Sequence, residues 1–151
     1  MTHNNAKQAV IDSLTHLLAD SFVVYFKTHS FHWNVTGPYF KSLHDMFGEQ
    51  YTELWTATDD MAERIRALGE TAAFSMTDII ARSDMNEANA APDAMAMVKQ
   101  LAEDNQTLAN HLREGISTAE EAGDQLTADM LTGRAIQHEK NAWMLRSTLG
   151  E

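Results

Sequence analysis

Residues 29–63 read HSFHWNVTGPYFKSLHDMFGEQYTELWTATDDMAE, and this stretch decides the fold. On either side of Asn34-Val-Thr-Gly37-Pro38, apolar residues recur at three- and four-residue steps, the period of one helix face. Glycine and proline are the strongest local breakers, and proline suits the first turn of a helix. The stretch is therefore a helical hairpin. Its arms carry His32 and His44, twelve residues apart, and Asp59 and Glu63, one helical turn apart. All four side chains are nitrogen or oxygen donors of the kind that hold divalent metals.

Outward from the hairpin, the first arm extends back to residue 6 on Val10, Leu14, Leu17, Leu18, Phe22, Tyr25 and Phe26. The second runs from about Tyr39 to Leu68 on Phe40, Leu43, Phe47, Tyr51, Leu54, Met61 and Ile65, with Gly69 as its stop. Residues 70–92 carry a weaker pattern, with Ser75–Arg82 as a short helix inside a long crossover. Ala91-Pro92-Asp93 opens a third helix on Met97, Leu101, Leu108, Leu112 and Ile116, broken by Gly123-Asp124. A fourth, from about Thr127 to Leu149, carries Met130, Leu131, Ile136, Trp143 and Leu145. Two hairpins joined by a crossover predict an all-α, ferritin-like four-helix bundle, one domain over residues 1–151.

Composition narrows the chemistry. Only 7 Gly and 2 Pro in 151 residues leave long helices uninterrupted. With no cysteine, a metal site must use His, Asp and Glu. The first residues lack the basic and apolar regions of a secretory signal, and no window approaches the roughly 20 apolar residues of a membrane span. A cytoplasmic protein without membrane association is expected. The net charge of −11 suits a protein that draws cations and opposes one that coats DNA.

A continuous second helix separates His44 from Asp59 by 15 residues, about 22 Å of axis. One metal centre cannot span that gap. Asp59 and Glu63, four apart, share a face and could hold one ion together. Each hairpin thus carries two half-sites, which are either unrelated or completed by a second copy packed antiparallel about a two-fold axis. Inside a diiron bundle one expects Glu-x-x-His motifs, and the chain has none.

At these residues the sequence resembles the Dps family, the mini-ferritins known as DNA-binding proteins from starved cells. The likeness spans nearly the whole chain and rests on His32-Trp33-Asn34, the step to His44, and Asp59-Asp-Met-Ala-Glu63-Arg-Ile-Arg-Ala-Leu-Gly69. It implies a hollow homo-dodecamer that oxidises ferrous iron with hydrogen peroxide or oxygen and stores ferric mineral. It places ferroxidase centres at two-fold interfaces, with His32 of one subunit and Asp59 and Glu63 of the other on the first iron. His44 falls to a weaker second position, and Trp33 to electron transfer or radical quenching. Where the family usually has an acid one turn after His44, this chain has Gly48, which removes a ligand.

Other residues carry competing readings. Asp45, Glu49 and Glu53 form an acidic row, either a solvated face or a mineral-nucleating one. Asp124 and Asp129 complement a helix dipole, and the resemblance adds iron-admitting pores. His16, His29, His111 and His138 show no partner pattern. The alternative function is a DNA-compacting nucleoid protein with a degenerate iron site, which the acidic charge disfavours at neutral pH. A third reading is a divalent-metal buffer without turnover.

Overall fold

Five helices and no strand make up residues 2–151, which the computed structural model describes. α1 (His3–Asn34) starts earlier than its apolar periodicity indicates because Thr2 caps it, its hydroxyl accepting the Asn5 amide at 3.2 Å. α2 (Phe40–Ala67) comes after a turn in which Gly37 takes φ +107°, a left-handed conformation that a side chain would oppose. α3 (Met76–Arg82) is the expected crossover helix, capped by Ser75. α4 (Ala94–Glu121) is capped by Asp93. α5 (Gln125–Thr148) begins two residues ahead of the expected start, because the Asp124 carboxylate accepts the Thr127 amide at 3.0 Å.

α1 pairs with α2 and α4 with α5, and α1 also packs on α4 and α3, which gives the expected bundle of two hairpins. One end of its core holds Leu14, Leu17, Leu54, Met61, Ile65, Leu108, Leu112 and Leu131. The other holds Phe31, Leu43, Phe47, Met97, Leu101 and Leu145, directly beneath the hairpin turn. Each such side chain contributes about 1.5–3 kcal/mol on burial, enough to fix the α1–α2 pairing.

Three expectations change. α1 is long and apolar enough to cross a membrane by length and composition, contrary to the reading of its sequence. Its position explains why: packed by α2, α3 and α4, it is apolar on several sides, and most of that window is buried inside the bundle. On α5 the inward stripe is Ala128, Leu131, Arg134, Ala135, His138, Asn141, Ala142 and Leu145, so Ile136 and Trp143 point outward. Phe26 and Phe40, assigned to inward stripes, are also exposed in the single chain, as are Trp33 and Trp55.

Candidate metal centre

His32 lies in the last turn of α1, and His44 faces it from the start of α2. The His32 Nδ1 donates to the His44 carbonyl at 2.6 Å, and the His44 Nδ1 donates to the His32 carbonyl at 2.7 Å. A carbonyl only accepts, so each Nδ1 carries the hydrogen, and in the neutral ring Nε2 keeps its lone pair. The rings stack with centroids 3.8 Å apart and 16° between planes. A backbone carbonyl on one ring nitrogen is the usual orienting partner for an imidazole that binds metal through the other. The His32 carbonyl is also one of the four that a helix end leaves without an intrahelical partner, so His44 satisfies it.

Gly48 leaves room for this arrangement. The His44 carbonyl points along α2 toward residue 48, so a side chain there would stand over the oxygen that His32 must reach. A Cβ on Gly48 would sit 3.1 Å from the His32 Cε1 and 3.2 Å from its Nδ1. The glycine that removes a carboxylate thus admits the imidazole.

Around the pair lies a set of aromatic rings. His29 stacks on Tyr51 at 3.7 Å and 9°, and its Nδ1 bonds the Tyr25 hydroxyl at 2.8 Å. Trp33 lies 4.2 Å from His29, ring to ring. Burial, and then the neighbouring His32, push the His29 pKa below its ordinary value. Sequence reasoning gave His29 no partner, although Tyr25, His29 and His32 are spaced by four and three on one face of α1.

Asp59 and Glu63 stand exposed on α2, one turn apart. The Glu63 pKa is raised, first by a hydrogen bond with Asp59 and then by that residue's charge, with burial and Asp60 adding to it. Two carboxylates one turn apart, each opposing the other's charge, are a natural seat for a cation. Asp59 borders a hollow walled by Leu18, Phe22 and Trp55. The histidines instead open on a groove with Asp45, Gly48, Glu49 and Glu53. α2 is continuous between them, so one chain does not bring the four residues together.

The remaining acids divide by partner. Asp45 pairs with Lys41 at 2.8 Å, which lowers its pKa, and Glu53 pairs with Arg134 of α5. The acidic row is therefore largely neutralised, with Glu49 exposed between them. Asp124 holds the α4–α5 turn, accepting from Thr127 and from Arg64 at 3.1 Å. Burial opposes its charge, but those bonds prevail and its pKa is lowered. Asp129 is exposed and accepts from Gln125 at 2.8 Å. His138, without a partner in the sequence, proves fully buried between Arg134 and Asn105.

A long-helix bundle with donor groups on its first hairpin is the ferritin-like class, and the profile of the ferritin-like domain matches residues 11–151. The DNA protection during starvation protein 2 of Bacillus anthracis is 38% identical over 142 residues, covering 94% of this chain and 97% of its own. The Staphylococcus aureus Dps structure superposes with a TM-score of 0.91 at 37% identity, over 94% of this chain and 95% of that one. A Vibrio cholerae Dps structure, described as a ferritin-like diiron-carboxylate protein, has a TM-score of 0.92 at 30% identity, over 96% and 91%. The chain belongs to the Dps family of ferritin-like proteins.

Proposed function

We propose that this protein is a ferroxidase and iron-storing mini-ferritin whose centres form between subunits of a dodecamer. The observation that carries the reading is the His32–His44 pair, two imidazoles held with Nε2 outward and separated along α2 from a paired carboxylate. An antiparallel two-fold partner would bring its Asp59 and Glu63 to this chain's His32 and His44. The surface between the half-sites fits such a partner: exposed Phe26, Trp33 and Trp55 lie along the α1–α2 face, larger apolar side chains than a lone domain favours outside.

Ferrous iron is the substrate. Two ferrous ions each give one electron to hydrogen peroxide; the O–O bond breaks and two protons are taken up to release two waters. The protein holds the ions, orients the imidazoles and supplies carboxylates that draw the cations. Trp33 follows His32 in the chain and is exposed, which supports a role in donating an electron to an over-oxidised centre. The starvation-protein relative is named for protecting DNA. Here that protection is chemical, through removal of ferrous iron and peroxide in the cytoplasm, because −11 per chain repels phosphate.

The test is complementation. His32→Ala and Asp59→Ala proteins, each inactive, are dissociated, mixed and reassembled, and ferric absorbance is followed after peroxide addition. Mixed dimers carry one of their two centres with both halves intact, so about a quarter of the wild-type centres should return in an equal, random mixture. No recovery in correctly reassembled mixtures would refute sites shared between subunits.

A further inference from the structure

A second cluster of donors sits away from the hairpin, where the crossover meets the bundle. Asp20 of α1 is completely buried, and His16 lies one turn before it. Asp20 Oδ2 lies 3.1 Å from the His16 Nε2 and 2.9 Å from the Nδ1 of His111 on α4. Asp84, just after α3, brings its Oδ2 to 3.1 Å from the same His16 Nε2. The donor atoms of His16, Asp20 and His111 all lie within 4.8 Å of one another.

Counting hydrogens shows that a neutral His16 has one too few for the oxygens around it. The His16 Nδ1 faces the Arg82 carbonyl at 3.0 Å, while its Nε2 faces two carboxylate oxygens. All three oxygens are acceptors, and a neutral imidazole has a single hydrogen. One ring nitrogen would then point a bare lone pair at an oxygen. A divalent cation among the Nε2, the His111 Nδ1 and the two carboxylates removes the conflict, since Nδ1–H still serves Arg82.

We propose that His16, Asp20, Asp84 and His111 form a zinc-type site that fastens the crossover to α1 and α4. Two nitrogens and two oxygens make a four-coordinate set suited to zinc, and two carboxylates balance its charge. Tetrahedral bonds of about 2.0–2.2 Å set donors roughly 3.4 Å apart, so the three short contacts open by a few tenths of an ångström, while the exposed Asp84 side chain, outside the 4.8 Å group, turns inward to complete the set. The supporting contacts are built. The other Asp20 oxygen accepts from the Ser83 hydroxyl and the Asp84 amide, both at 2.8 Å, and the Arg82 carbonyl orients His16. The ligands come from three elements of one chain, so the site is complete without a partner and does not depend on the ferroxidase reading.

The test uses the assembled protein, stripped with chelator and titrated with zinc at neutral pH. After gel filtration, bound zinc per chain is counted for wild type, His111→Gln and His16→Gln. Each variant should hold one zinc fewer per chain and lose part of the zinc-induced rise in unfolding temperature, whatever other sites retain. Equal zinc content in all three would overturn the proposal. Should a variant fail to assemble, zinc-edge anomalous diffraction from wild-type crystals decides: a peak among the four donors supports the site, and none there refutes it.

Discussion

His138 makes the stability of the bundle depend on acid. Arg134 Nη2 lies 3.0 Å from the His138 Nε2 and is always a donor, so Nε2 must accept. Nδ1–H then donates to the Asn105 Oδ1 at 2.8 Å. The neutral ring fits, and a proton on Nε2 would press an imidazolium against a guanidinium inside the core. Burial first, and Arg134 second, lower the pKa from 6.5 to about 3. The unfolded chain therefore takes this proton first. The stabilisation is fully present above pH 6.5 and declines as pH falls toward 3, by up to about 1.4 kcal/mol per pH unit. At pH 4.5 the loss is about 3 kcal/mol per chain. Denaturant unfolding between pH 7.5 and 4.5 measures it against His138→Gln, whose amide accepts from Arg134 and donates to Asn105 without titrating. The variant starts less stable, and its curve should be flatter by about 2–3 kcal/mol over that range. Parallel curves would refute the assignment of a neutral, locked His138.

Three further perturbations test the packing and the site. Gly48→Ala gains up to about 1 kcal/mol of helix propensity but displaces the His32 ring. Stability by denaturant should change by less than about 1 kcal/mol while anaerobic ferrous binding by calorimetry weakens. Gly115→Ala sets a Cβ 2.7 Å from the Leu17 Cδ1 and 3.2 Å from the Leu131 Cδ1, where three helices meet. Overpacking there should lower unfolding stability by about 1–3 kcal/mol despite the better helix former. Asp59→Asn removes the carboxyl whose hydrogen bond, and then charge, raise the Glu63 pKa. A raised carboxyl favours the fold at low pH and loses that contribution as pH rises through its folded value. The variant should therefore unfold at higher temperature than metal-free wild type at neutral pH, and show a smaller rise on adding ferrous iron, both read by calorimetry.

The helices and their order were legible because the signals are local. Gly37-Pro38, Gly69 and Gly123 punctuate amphipathic runs, and Ser75, Asp93 and Asp124 cap the three later helices. The inner face of α5 was not. Its stripe passes through Arg134, His138 and Asn141, polar residues that bond to Glu53 and Asn105 while the Arg134 Nε stays without a partner, and a count of apolar positions passes over them. The hairpin histidines were legible as donors, and their separation from Asp59 came from helix rise alone. The reciprocal carbonyl bonds were not, because they depend on how closely two helices approach. That approach turns on a glycine whose sequence reading was a missing ligand. The cluster of His16, Asp20, Asp84 and His111 joins residues up to 95 positions apart and has no signature within any one segment.

The crossed bonds between His32 and His44 bear on how a loaded centre would exchange with solvent. Each imidazole is anchored to the backbone of the other residue, so both bonds depend on the same approach of the end of α1 to the start of α2. Fraying of the last turn of α1 would release both together, and closing it would restore both. On the proposed ferroxidase reading, the residence time of an ion at this end of the hairpin would follow that local opening, on the timescale that amide hydrogen exchange at residues 30–36 records. Stiffening that turn would slow metal departure without touching a ligand.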